Sequence, residues 1–116
     1  MKRSNAPIFW LLFGAGGMLS ALIGAMLVFI TGLAGPLGLF GDASPIAYEN
    51  LLRFARHPLG ALFILAVIAL FLWHAAHRIY HTLHDLGIHL NAPWWLGCYG
   101  SAAIGSALAA VVLLRL

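Results

Sequence analysis

Between Arg3 and Asp42 the chain carries no charged side chain and no histidine, and residues 9–33 within that stretch are almost wholly apolar or small. Few folds accept such a run. About 20 apolar residues in a helix cross a hydrocarbon core about 30 Å thick. A helix also pairs its own backbone N–H and C=O groups, which lipid requires. Two further runs follow. Residues 58–76 are interrupted only by His74, and residues 94–114 hold no ionisable group except Cys98 and Tyr99. Three spanning helices are the economical reading. Composition agrees: 8% of the residues are charged and 63% hydrophobic, against about 25% charged in a soluble domain.

The expected fold is therefore an all-α membrane protein, a single membrane-anchor domain over residues 1–116 with helices at about 9–33, 58–84 and 94–114. Lys2 and Arg3 would suit the start of a secretory signal, but the apolar run far exceeds the roughly 7 to 15 residues of a signal core. A retained helix is expected. The lone Cys98 makes no internal disulfide. Six basic residues, scattered along the chain, are too few for a nucleic-acid surface. Membrane lipid is the expected surrounding.

The breaks between runs carry the turns. Gly32, Gly35, Pro36 and Gly38 end the first helix, and a polar turn follows at residues 42–45. Residues 47–56 place Leu51, Leu52 and Phe54 among Glu49, Arg53 and Arg56, which predicts a short helix along the membrane surface before the second span. Pro58 suits the first turn of the second helix, which continues beyond its apolar part toward Leu86, with Gly87 as its stop. Trp94 and Trp95 mark the interface where the third helix begins. Lys2, Arg3 and Arg78 fall on one side of the membrane, with Arg53, Arg56 and Arg115 on the other, so basic residues leave the orientation undecided.

Two helices carry small residues every fourth position: Gly16, Ser20 and Gly24 in the first, and Gly97, Ser101, Gly105 and Ala109 in the third. Such rows let helix backbones approach closely in lipid, in this chain or against a partner.

Five of the six histidines lie in residues 74–89. His74, His77, His81 and His84 are spaced three, four and three apart, hence on one helix face. A di-iron centre needs several bundle carboxylates, and Glu49 is the only glutamate. A bis-histidine haem needs an imidazole from a second helix at similar depth, and His57 lies at the opposite end of the second run. No haem site within the chain follows; one shared with a partner would use His74 or His77. His81, His84 and His89 read as a hydrated helix end. His77 and Arg78 sit where the helix leaves the bilayer, at the same surface as Trp10. An imidazole, a guanidinium and an indole there suit either a quinone carbonyl or an ordinary snorkelling and aromatic belt.

Three segments, KRSNAPIFWLLFGAGGM (residues 2–18), PLGLFGD (36–42) and HRIYHTLHDLGIH (77–89), resemble the D subunit of bacterial fumarate reductase. The similarity is collinear from residue 2 to about 89, and the third helix fits in type and position. The resemblance implies a membrane anchor without the catalytic centre, in a four-subunit quinol:fumarate reductase of anaerobic respiration. A flavoprotein subunit reduces fumarate there, an iron–sulfur subunit relays electrons, and the C subunit pairs with this chain in the bacterial inner membrane. FAD and iron–sulfur clusters would reside in the partners only, menaquinol would be oxidised at the subunit interface, and no haem is expected. The N-terminus would be cytoplasmic and the C-terminus periplasmic. The family's quinone pocket receives the tryptophan and arginine matching Trp10 and Arg78, with the histidine matching His77 in it or beside it. Two positions depart from the pattern. Tyr80 stands where a histidine is expected, and His74 adds an imidazole one turn deeper, the feature that a haem-sharing anchor of a succinate dehydrogenase-like enzyme would use.

Overall fold

A computed structural model describes residues 6–41 and 44–116 of the chain; Lys2, Arg3 and Asp42 of the turn expected at 42–45 lie outside them. The described residues are helices and turns. A first membrane-crossing rod contains α1 (Ala6–Leu19), a π-helical turn (Ser20–Gly24), α2 (Ala25–Phe29) and a second π-helical turn (Ile30–Ala34). The short α3 (Tyr48–Arg56), the long α4 (Pro58–Asp85) and α5 (Ala92–Arg115) follow. Three segments, Trp10–Ala34, Pro58–Asp85 and Ala92–Arg115, are long and apolar enough to span a membrane. The expected three spans and the short helix ahead of the second are both present.

Each π-helical turn contains a hydroxyl bonded back along the helix. Ser20 Oγ donates to the Gly16 carbonyl at 2.9 Å and Thr31 Oγ1 to the Leu27 carbonyl at 2.7 Å. Back-bonding of this kind competes for carbonyls of the main-chain ladder, and a π turn takes one residue more than an α turn. The extra residue rotates everything beyond it.

α4 is the central helix, with α1, α3 and α5 each packed on it. The closest approaches use small residues. Ala76 on α4 and Ala102 on α5 are almost inaccessible, as is Ala34 at the end of the first rod. A Cβ on Gly16 would lie 2.7 Å from the Leu70 carbonyl oxygen and 2.8 Å from His74 Cβ. Large apolar side chains point outward instead: Leu11 is 75% exposed, Val28 71% and Leu59 71%. A soluble protein buries such residues. Here the core is small and the rind is greasy, which is the packing that lipid favours.

The helix ends follow their sequence signals. Gly87 adopts φ +81°; its N–H donates to the His84 carbonyl at 3.0 Å and the Ile88 N–H to the Leu83 carbonyl at 3.2 Å. That paired closure is the Schellman ending, which needs a left-handed residue after the helix. At the other end of α4, His57 Nδ1 accepts from the Leu59 N–H at 3.2 Å, so this histidine caps the helix. α3 meets α4 at a corner where a Cβ on Gly60 would run into the Phe54 carbonyl. Only glycine fits there.

Candidate functional site

At about 1.5 Å per residue, His77 lies about 28 Å along α4 from Pro58, close to the thickness of a hydrocarbon core. α1 begins and α5 begins at this same end of the bundle, because both run antiparallel to α4. The membrane edge thus collects aromatic and imidazole side chains from three helices.

Phe13 of α1 joins them. Its ring stacks on His74 with centroids 4.6 Å apart and planes 17° from parallel, and it tilts over His77 at 4.5 Å. Trp10, one turn earlier and 68% exposed, meets the Phe13 ring edge-on at 6.3 Å. Trp10 and His77 are therefore linked through Phe13, a residue the sequence reading did not single out. Its only signal was the three-residue spacing from Trp10.

The two imidazoles of α4 are held differently. His74 Nδ1 lies 3.1 Å from the Phe13 carbonyl oxygen. A carbonyl only accepts, so His74 carries a proton on Nδ1 and donates it to α1. The ring is pressed against the α1 backbone, where a Cβ on Gly17 would stand 3.0 Å from its Cε1. His77 Nδ1 instead lies 2.8 Å from the Tyr99 hydroxyl of α5. Trp95, Tyr80 and Trp73 surround the Tyr99 ring at 5.4, 5.6 and 6.1 Å. Tyr99 is the second residue missed in the sequence, since nothing local tells a tyrosine which histidine it will meet 22 positions away.

Arg78 is exposed. It is two residues from Tyr80, hence about 160° round the helix from the face that meets α5. The described contacts join Trp10, Phe13 and His77, and leave Arg78 on an adjoining flank. Along the histidine stripe, the His81 ring lies 4.3 Å from that of His77, whereas His84 and His89 border a shallow recess with Gly87, Ile88 and Leu90. His74 and His77 both lie against the same Phe13 ring and do not face each other across a porphyrin-sized gap. A haem held by either would need its other ligand from elsewhere.

These features define a class: a multi-pass helical membrane protein with an imidazole and aromatic cluster at one membrane edge. The family model of the fumarate reductase D subunit matches residues 1–114. The chain is 46% identical to the fumarate reductase D subunit of Vibrio cholerae serotype O1 (strain M66-2), over 97% of this chain and 85% of the relative. It is 43% identical to the D subunit of the enzyme from Shewanella sp. (strain W3-18-1), over 99% and 94%. The chain belongs to the family of fumarate reductase D subunits. It is a membrane subunit of fumarate reductase and works in a complex with other subunits of that enzyme.

Proposed function

We propose that this chain anchors the flavoprotein and iron–sulfur subunits of fumarate reductase to the bacterial inner membrane. With the C subunit, it forms the site where menaquinol is oxidised during anaerobic fumarate respiration. Trp10, His77 and Arg78 are the residues assigned to the head group. FAD and the iron–sulfur clusters belong to the partners, and no haem enters this reading. The carrying observation is the grip on His77, with the Phe13 ring tilted against it at 4.5 Å and Tyr99 on Nδ1 at 2.8 Å. With Nδ1 engaged, Nε2 is the nitrogen left for a substrate. A quinol is a flat ring with hydroxyl edges, so aromatic faces and an imidazole nitrogen at the membrane edge match its chemistry. Arg78 supplies a fixed positive charge beside them.

In the assembled complex, Arg78→Leu should cut menaquinol-driven fumarate reduction roughly ten- to a hundredfold, the equivalent of about 1.5–3 kcal/mol for a charge-assisted hydrogen bond. Fumarate reduction driven by a soluble reduced dye bypasses this chain and should survive. Unchanged quinol turnover would sink the assignment and leave Arg78 as a snorkelling anchor. The N-terminus is assigned to the cytoplasm; a reporter fused after Leu116 should then read periplasmic, because three spans intervene.

A further inference from the structure

His74 and His77 differ in what their partners allow. The Phe13 carbonyl accepts only, so it locks His74 with its proton on Nδ1. A tyrosine hydroxyl both donates and accepts. At 2.8 Å it donates to Nδ1 when His77 carries its proton on Nε2, and accepts from Nδ1–H when the ring is the other tautomer or the imidazolium. His77 therefore keeps its partner through a change of protonation at Nε2. The rest of its surroundings restrain the ring without competing for Nδ1: the Phe13 ring of α1 leans against it, centroids 4.5 Å apart and planes tilted by 51°, and the His81 ring stands 4.3 Å off on the next turn. Tyr99 is itself held among Trp73, Tyr80 and Trp95, so its hydroxyl is presented from a packed aromatic cluster.

We propose that Tyr99 is a positioning residue for quinol oxidation, holding His77 by Nδ1 so that Nε2 faces the substrate in every protonation state the ring passes through. This rests on the quinol-site reading above. In the tautomer whose Nδ1–H donates to the Tyr99 oxygen, Nε2 takes one proton from a quinol O–H and leaves the quinol anion, and the Nδ1–H···O bond is kept as the ring becomes imidazolium. Tyr99 gains and loses no proton overall.

The test uses the whole complex, a short-chain naphthoquinol as donor and fumarate as acceptor. Tyr99→Phe keeps the ring and removes the hydroxyl. Its kcat should fall about two- to tenfold, the span of one neutral hydrogen bond. KM for the naphthoquinol should change by less than about twofold, because the hydroxyl does not touch the substrate. In a His77→Ala background, Tyr99→Phe should add nothing, as coupled positions require. Unchanged kcat in Tyr99→Phe alongside an impaired His77→Ala overturns the positioning role and spares the quinol site. So does an additive double variant, a raised KM, or loss of membrane-bound flavin, which would make the bond a structural one. Full turnover in His77→Ala removes the quinol-site reading itself, and this inference with it.

Discussion

Gly16 and Gly24 on the first membrane rod both look onto α4, at the Leu70 carbonyl and the Phe71 ring respectively. On α5 the corresponding row divides: Gly105 meets the Leu72 side chain, while Gly97 stands in open space. Both rows repeat every fourth residue. In a regular α-helix such a row drifts about 40° per step, so residues 97 to 109 wind about 120° round the axis and leave any one neighbour. The first rod escapes this drift. Its π-helical turn at Ser20–Gly24 takes an extra residue, so Gly16 to Gly24 rotate as about seven α-helical positions, within about 20° of two full turns. A spacing rule for helix packing thus holds only where the helix type under it is known.

Substitutions along the two rows would break or sharpen this contrast. Gly16→Leu has the largest expected effect, because its new side chain meets a main-chain carbonyl that cannot rotate away. Overpacking of this kind costs about 1–3 kcal/mol, and at the upper end membrane-bound flavin should fall more than about tenfold. Normal recovery would mean that α1 does not sit on α4. Gly105→Leu should cost less, a few-fold at about 1 kcal/mol. The atom in its way is Cδ1 at the tip of Leu72, which can swing aside. Gly97→Leu should leave recovery within about twofold, since surface changes away from packed features are near neutral. A loss there equal to that at Gly105 would show that the free half of the row meets another protein of the complex.

The histidine pair teaches a similar lesson at the site. His74 and His77 are both imidazoles on one face of α4; their spacing was enough to put them together, and the end of the apolar run put His77 at the membrane edge with His74 one turn deeper. Their roles diverge through atoms on other helices, a carbonyl of α1 and a hydroxyl of α5. No local pattern in HAAHRIYH carries that difference. The same holds for Phe13, which reads as one more apolar residue of a spanning run until α1 is set against α4.

What the sequence determined by itself was the number of helices and where they begin and end, while the π-helical turns inside the first rod were not legible in it. Run length and lack of charge required three spanning helices, because lipid tolerates nothing else of that composition. Gly87 ended α4 and Pro58 began it, because backbone conformation at a helix end is a property of the residue standing there. The short helix ahead of the second span followed from its own alternation of charge and leucine. Tertiary structure alone decided which faces meet: that α4 is central, that Ala102 rather than Gly97 marks the α5 contact, and that Tyr99 reaches His77. In lipid the hydrophobic effect does not choose between apolar faces, since a leucine is equally at home against a helix or an acyl chain. The choice falls to close fit and single hydrogen bonds, and those exist only once two helices stand side by side.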